Sequence, residues 1–342
     1  MSENNGCCCS SGGCCGISDI KTVSTRLSLM DRLGGWRVRW GIGRMRYRVE
    51  PGIYAVGKPD ENAPVFVSAN YKLTFDTLRK ELSGVDGWLL ILDTKGVNVW
   101  CAAGKGTFGT DELIRRMADT QLEDIVSHKT LILPQLSASG INANEVMRQS
   151  GFSVIYGPVR AEDIKAFLAA GNRATDDMRT VSFSMYDRMV LTPMEVIPAA
   201  KKLFILFGVF FLLNLFAAIP FGLMDFFACT GAVLIGTIVT PILLPLLPGR
   251  AFSCKGGVVG LVWAVCAMGL NGWLVPIQWF TTIGYFLVLP SISAYLAMNF
   301  TGSSTYTSPS GVAKEMKIAL PIMVTASAVG AILILLNRAF GL

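Results

Sequence analysis

The sequence predicts two architectures in one chain: an α/β domain built on a mostly parallel sheet, followed by an all-α membrane domain of five transmembrane helices. Two observations carry this. Charge is unevenly spread, since only seven of the 30 Lys/Arg and two of the 24 Asp/Glu lie beyond residue 200. Apolar stretches also change in length. Before residue 200 they are strand-sized and separated by helical patterns; after it they are membrane-sized. The charged fraction of 16%, against roughly 25% in soluble domains, reflects that second half.

The chain begins with a Gly/Ser/Cys-rich leader, residues 1–20, whose composition predicts disorder. It holds five of the nine cysteines: Cys7, Cys8, Cys9, Cys14 and Cys15. In a reducing cytoplasm these stay thiols. The leader reads either as a solvated tail or as a capture site for a thiophilic ion such as Cu(I), Zn(II) or Hg(II). Its spacing does not fit the C-x2-C-x2-C-x3-C run of an iron–sulfur cluster. A basic segment, residues 21–60, follows. Between 21 and 48 it has eight Lys/Arg against one acid, Asp31, with Trp36, Trp40 and Tyr47 interleaved. Nucleic acid is one reading of that pattern. Beside a membrane anchor, anionic lipid headgroups fit better, and an acidic redox protein is a third reading.

Residues 61–200 alternate strand and helix. PVFVSAN (64–70) reads as a strand, 74–82 as a helix with Thr74 near its cap, and the uninterrupted WLLILD (88–93) as a strand covered on both faces. A helix over 111–126 with an acidic first turn, a strand over 130–136 and a short helix over 142–150 come next. A strand over 152–159 and a helix over 161–170 complete the pattern. Strands spaced by helices give a mostly parallel sheet, and ligands bind beyond the carboxyl ends of such strands. Residues 93–109 therefore fall where chemistry belongs. The alternating segment 179–196 predicts an edge strand or hairpin before the membrane.

From residue 201 come five apolar stretches, about 203–223, 226–247, 256–275, 277–298 and 318–336. Each is long enough for a hydrocarbon core of roughly 30 Å and lacks the polar face of a soluble helix. The first begins too late for a signal peptide. Lys201, Lys202, Arg250, Lys255, Lys314 and Lys317 mark the loops of one side, while the opposite loops near Asp225 and Pro276 have no Lys or Arg. The basic side is cytoplasmic. This expects a multi-pass protein of the inner membrane, with its N-terminal domain in the cytoplasm and the tail containing Arg338 outside. Apart from Asp225 at a boundary, the stretches hold no acid, so they read as an anchor or scaffold rather than an ion-coupled transporter.

NVWCAAGK, residues 98–105, follows WLLILDTKG (88–96) after the single residue Val97. It is not a phosphate loop: G-x-x-x-x-G-K-[ST] needs a glycine where Val99 stands and a hydroxyl where Gly106 stands. Gly104, Gly106 and Gly109 match G-x-G-x-x-G in spacing, but Lys105 and Phe108 stand where small residues usually pack. No acid marks a following strand end, so the match is weak. Cys101 as a nucleophile needs a base, and nothing in the sequence brings the only histidine, His128, to it. Free cysteine also serves as a small buried hydrophobe. In a glycine-rich loop with Lys105 and a helix start nearby, a ligand or nucleophile is the better reading.

The segment VFVSANYKLTFDTLR, together with WLLILDTKGVNVWCAAGKGTFGTDELI, resembles the corrinoid-binding domain of the mercury-methylating corrinoid proteins (the HgcA family). That domain is itself similar to the one in the corrinoid iron–sulfur protein of the acetyl-CoA pathway. The family's hallmark, N-[VI]-W-C-A-[AS]-G-K, is met at all eight positions 98–105. A soluble domain followed by five membrane spans also fits the family, over roughly residues 60–340; the leader lies outside the resemblance. The resemblance implies a Rossmann-like corrinoid-binding domain with a cobalamin-type, cobalt-containing cofactor. Many corrinoid proteins supply a lower histidine ligand through Asp-x-His-x-x-Gly, a motif that His128 does not fit, having Val126 two before it and Leu131 three after. The family instead places the hallmark cysteine under the corrin, which implies Cys101 as the catalytic residue and lower axial cobalt ligand. An anionic sulfur donor makes cobalt electron-rich and eases methyl transfer as a carbanion or radical equivalent, which a soft electrophile such as Hg(II) accepts.

Around Cys101 the resemblance implies Asn98 as a loop-orienting hydrogen-bond partner, with Val99 and Trp100 as apolar neighbours of the corrin. Ala102, Ala103, Gly104 and Gly106 are small where a flat macrocycle approaches, and Lys105 meets a corrin propionamide. Asn70, Tyr71 and Thr74 line the other side of the crevice. The expected activity is methyl transfer from cobalt to Hg(II), giving methylmercury. Two alternatives stay open: a corrinoid methyl carrier of one-carbon metabolism with another acceptor, and a non-enzymatic membrane metal-binding or transport protein. Expected partners are a ferredoxin-like iron–sulfur electron donor, a methyl-donating methyltransferase, Hg(II) and membrane lipids, with no nucleic acid.

Overall fold

The computed structural model describes residues 20–216, 221–273, 279–304 and 309–340. These form two compact units. One comprises the described residues through Val38 together with Gly43–Val181; the other comprises Arg39–Ile42 and the described chain from Ser182 onward. The five leader cysteines lie outside the described residues.

Six strands make one mixed sheet in the first unit: β1 (Lys21–Val23), β2 (Gly52–Val56), β3 (Val65–Ala69), β4 (Gly87–Leu92), β5 (Thr130–Leu133) and β6 (Ser153–Tyr156). Their order is β1-β2-β4-β3-β5-β6. β4, β3, β5 and β6 run parallel; β2 joins β4 antiparallel, and β1 pairs parallel with β2. The helices of this unit are α1 (Leu29–Arg39), α2 (Lys72–Glu81), α3 (Val99–Gly104), α4 (Thr110–Asp119), α5 (Leu122–Ile125), α6 (Ala143–Ser150), α7 (Ile164–Ala169) and α8 (Asp176–Arg179). Every residue of β3 and β4 is buried, because helices cover both faces. Val65, Val67, Leu90 and Leu131 point into one core with Phe108, Leu113 and Phe152. Their neighbours Phe66, Leu89, Ile91 and Ile132 point into the other with Phe75, Leu82 and Phe167.

Several sequence expectations change here. The basic segment 21–60 contributes β1, β2 and α1. α2 begins at Lys72 with Tyr71 as its cap, so Thr74 lies inside the helix. The helix expected over 111–126 breaks at Gln121, whose left-handed backbone (φ 48°) separates α4 from α5. The strand expected over 130–136 stops at Leu133, because Pro134 has no amide hydrogen for the ladder. The strand expected over 152–159 is β6, and 161–170 begins as a 3-10 turn before α7. No strand forms over 179–196. A helix starts there instead, where Ser184 and Asp187 cap each other's amides at 2.9 and 3.2 Å.

The second unit contains α9 (Met185–Phe216), α10 (Leu223–Leu234), α11 (Thr240–Leu243), α12 (Phe252–Leu270), α13 (Trp279–Asn299) and α14 (Pro309–Phe340). A π-helical turn, Ile235–Val239, joins α10 to α11; Pro241 forces it, since its ring crowds the carbonyl four residues back and it donates no hydrogen bond. Among the described residues, four helical segments are long and apolar enough to cross a membrane: Leu223–Leu243, Phe252–Leu270, Trp279–Gly302 and Ser310–Phe340. They match the expected second to fifth spans. The expected span 203–223 includes 217–220, outside the described set; its described parts are the end of α9 and residues 221–223, the last of which opens α10.

Lipid gives apolar helices no hydrophobic reason to associate, so they pack through small residues. A Cβ on Gly256 would stand 2.5 Å from that of Ala297, and one on Gly260 2.7 Å from that of Ser293, so α12 and α13 touch backbone to backbone. Gly284 and Gly330 allow the same approach between α13 and α14. The sequence places Arg338 in a tail, whereas the structure places it inside α14. Its Nη2 donates to Asp225 Oδ1 at 2.5 Å. The Tyr285 hydroxyl donates to the same oxygen, and the Gly222 amide donates to Oδ2 at 2.7 Å. Asp225 is 4% exposed, so this pair leaves no room for hydration. Replacing Asp225 by Leu is expected to cost about 3–5 kcal/mol, by stranding the Arg338 charge. Asp225→Leu combined with Arg338→Leu should recover most of that loss in thermal unfolding of the detergent-solubilised chain.

Candidate functional site

β3 and β5 are neighbours, yet the chain leaves β3 for α2 on one face and leaves β5 for α6 on the other. Such a switch point opens a crevice beyond the carboxyl ends of the strands. The turns after β3, β4 and β5 meet there.

Asn70, 1% exposed, organises the turn after β4. Its Oδ1 accepts from Thr94 N (3.2 Å), Thr94 Oγ1 (2.9 Å) and Gly96 N (3.0 Å), and its Nδ2 donates to Asp93 Oδ1 at 3.0 Å. Gly96 has φ +76°, and a Cβ there would press on the Met45 carbonyl. The Asp93 amide donates to Glu112 Oε1 at 2.8 Å, which ties the turn to α4. Burial pushes the Asp93 carboxyl up, but bonds from Lys95 and Asn70 outweigh it and leave the group below its ordinary range. Glu112 is also lowered. Burial again opposes this, and the Asp93 amide, Arg116 and Arg115 prevail.

This turn delivers Asn98 as the N-cap of α3, its Oδ1 accepting the Cys101 amide at 3.0 Å. Val99, Ala102 and Ala103 then enter the core, while Trp100, Cys101 and Gly104 face outward. Three- and four-residue spacing puts those three on one surface. The chain folds back over α3, with the Lys105, Thr107 and Phe108 amides all donating to the Ala102 carbonyl at 3.0–3.2 Å. Gly104, Lys105 and Gly106 are exposed, and a Cβ on either glycine would meet nothing within 4 Å. Gly106 needs to be glycine for its φ of +77°. From behind, Gly140 abuts α3 so closely that a Cβ would lie 2.9 Å from Ala103 Cα.

The structure therefore brings residues 98–106 together with Asn70, which meets them from beneath as an anchor. Tyr71 is buried beside an isolated bridge to Arg48, and Thr74 is half-buried in α2. His128 is elsewhere. It precedes β5, at the amino end of the strands, with Nε2 bonded to the Ala63 carbonyl at 2.9 Å and Nδ1 accepting the Thr130 amide. A Cys101–His128 dyad is thereby excluded. Gln135 escaped the sequence reading. It follows β5 in a turn packed against α3, and its Oε1 is buried without a hydrogen-bond partner. A buried amide oxygen without a donor costs about 1–3 kcal/mol. The available signal was its position, two residues past a parallel strand at the ligand-binding edge. Among the described residues, no group of three or more His, Cys, Asp and Glu is placed to hold a metal ion by itself.

Residues 42–168 match the family model described as the CO dehydrogenase/acetyl-CoA synthase delta subunit. The acetyl-CoA decarbonylase/synthase complex subunit gamma of Archaeoglobus fulgidus is 34% identical over 127 residues, covering 36% of this chain and 27% of that protein. The corresponding subunit of Methanopyrus kandleri is 34% identical over 122 residues, 35% of this chain and 26% of that one. The corrinoid/iron–sulfur protein large subunit of Moorella thermoacetica is 30% identical over 125 residues, 36% of this chain and 28% of that protein. The chain thus spans about a quarter of the length of these relatives. The shared part is a domain homologous to theirs, and it contains the whole of the Asn70–Cys101–Gln135 edge.

Loss of the cap in Asn98→Ala should lower stability by about 1 kcal/mol and speed amide exchange in α3 more than elsewhere. The depressed Asp93 and Glu112 carboxyls stabilise the fold fully above their unfolded values, and that contribution is lost as pH falls through the folded ones. A urea midpoint followed against pH should be flat near neutrality and decline from about pH 4 downward. Asp93→Asn should flatten that decline.

Proposed function

We propose that residues 42–168 bind a corrinoid against the outward surface of α3, and that the chain is a corrinoid-dependent methyltransferase making methylmercury from Hg(II). One observation carries the reading. The eight hallmark residues 98–105 fold as a capped helix that turns Trp100 and Cys101 outward, inside a domain homologous to part of a corrinoid/iron–sulfur protein.

The residues present fit such a group. The space directly over Gly104 and Gly106 is open, with no heavy atom within 4 Å of where a Cβ would stand, which suits the approach of a flat macrocycle. The partnerless Gln135 Oε1 can accept from a corrin amide side chain, and exposed Lys105 can meet another. A bound corrinoid supplies methyl-transfer chemistry at its cobalt. Cys101 would hold that cobalt through its thiolate, a soft anionic donor suited to a soft acceptor such as Hg(II). Asn98 fixes the backbone from which the thiol projects, Trp100 keeps water from its flank, and Asn70 holds the turn that sets both. The four apolar helices, with the end of α9 as a fifth span, anchor the protein in the inner membrane with the first unit cytoplasmic. A ferredoxin-like electron donor and a methyl-donating methyltransferase complete the cycle.

The relatives' names favour a second reading, a methyl carrier whose acceptor is another one-carbon enzyme. Anaerobically purified protein, loaded with corrinoid and methylated, separates the two: methylmercury on addition of Hg(II) supports the first, and inertness toward Hg(II) supports the second. Because Cys101 is exposed, Cys101→Ala should change stability by only about 0.5 kcal/mol. It should still shift the visible spectrum of bound corrinoid and abolish methylmercury formation. Cys101→His offers a neutral donor, and should keep corrinoid while losing most transfer to Hg(II). Full activity in Cys101→Ala would refute the thiolate assignment.

A further inference from the structure

α1 is mounted the wrong way round for a helix of a soluble domain. Its inward side is small and polar: Gly35 and Val38 are buried, and Asp31 reaches Lys72 Nζ at 2.5 Å and Arg79 Nη2 at 2.8 Å. Ser28 caps the first turn, its hydroxyl donating to Asp31 Oδ2 at 2.8 Å. Gly34 lies so close to the Tyr47 ring that a Cβ would collide with it. The helix is therefore clamped to α2 in one orientation. Burial pushes the Asp31 carboxyl up, but bonds from Lys72, Ser28 and Arg79 outweigh it and hold the group well below the usual range, so the clamp is ionised at neutral pH.

The outward side is apolar. Leu29, Leu33 and Trp36 recur at i, i+4 and i+7 and are 73%, 53% and 63% exposed; Met30 and, beyond the helix, Met45 are exposed beside them. Arg32 and Arg37 flank this stripe on its two sides, and Arg26, Arg46 and Arg48 are also exposed. The only acid between residues 21 and 48 is Asp31, which is turned inward. An apolar stripe with an aromatic residue, bordered by arginines and clear of carboxylates, has the composition of a helix lying in a bilayer interface. Among its described residues the same chain carries four helices fit to cross a membrane, which makes a bilayer a surface this chain can meet.

We propose that α1 lies on an anionic membrane surface, its Leu29–Leu33–Trp36 stripe in the acyl boundary and its arginines on lipid phosphates. The inference rests on the reading of α10 to α14 as membrane helices and gives the corrinoid-binding unit a fixed attitude to the bilayer. An acidic protein partner is the competing occupant.

The test uses the full chain with p-benzoylphenylalanine replacing Leu33, and separately replacing exposed Glu123 as a control. Each protein is reconstituted into vesicles of phosphatidylcholine alone or with phosphatidylglycerol, irradiated, and its adducts are identified by mass spectrometry. Flotation with the vesicles verifies membrane insertion, so failure of the spanning reading is seen separately. The expected result is lipid adducts at position 33 but not 123, more abundant with phosphatidylglycerol. Arg32→Gln with Arg37→Gln should reduce them by about fivefold per arginine. Absence of lipid adducts at position 33, equal labelling in both vesicle types, or crosslinking in native membranes to a protein instead of lipid would overturn the proposal.

Discussion

The carboxyl edge of the first unit depends on one buried amide. Asn70 directly follows β3, and its side-chain carbonyl oxygen takes two backbone amides and a hydroxyl from the turn after β4, while its NH2 group holds Asp93. Parallel strands leave such turns without a ladder partner, so their polar groups must be satisfied by side chains or by water. Asn70 does this without water, which fixes the path from Leu92 to Asn98. Every later feature inherits that path: the cap on Cys101, the burial of Ala102 and Ala103, and the outward turn of Trp100 and Cys101. Aspartate here would offer no donor to Asp93 and would set two carboxylates side by side.

The same requirement, that buried polar groups be paired, shapes the second unit and marks its exceptions. Asp225 and Arg338 lie far apart in sequence and close in space, with Tyr285 and the Gly222 amide taking up the remaining capacity. Around that polar contact the helices meet through glycine, alanine and serine, where dispersion forces act at short range. Against this background the partnerless Gln135 oxygen stands out in the first unit. It lies at the strand edge where α/β proteins bind ligands, in a turn packed against α3.

Much of this was legible in the residues. Uninterrupted apolar runs such as WLLIL reveal strands buried on both faces, and longer apolar runs reveal helices of membrane-crossing length, because burial acts on composition directly. The segment 98–105 was legible as a motif because all eight of its residues meet the hallmark of the family it resembles. The missed elements are those whose pattern is shared by other structures. β1 is a three-residue edge strand with no buried residue, and β2 is a short run beside an arginine-rich segment, so neither shows a clear apolar pattern. Residues 179–196 alternate like a strand, but the Ser184–Asp187 cap and the continuing helix decide otherwise.

By itself, the sequence determined the division into a strand-and-helix part and an apolar helical part, and the place of segment 98–105 just after β4. These follow from hydropathy and local spacing, which are properties of the chain alone. Only the tertiary structure decided that His128 belongs to the opposite end of the sheet, that Arg338 neutralises Asp225, that Gln135 lies unpaired beside α3, and that α1 turns its apolar side outward. Each of those depends on which distant segments meet, and sheet order and helix packing settle that through long-range contacts that leave no periodic trace in the residues.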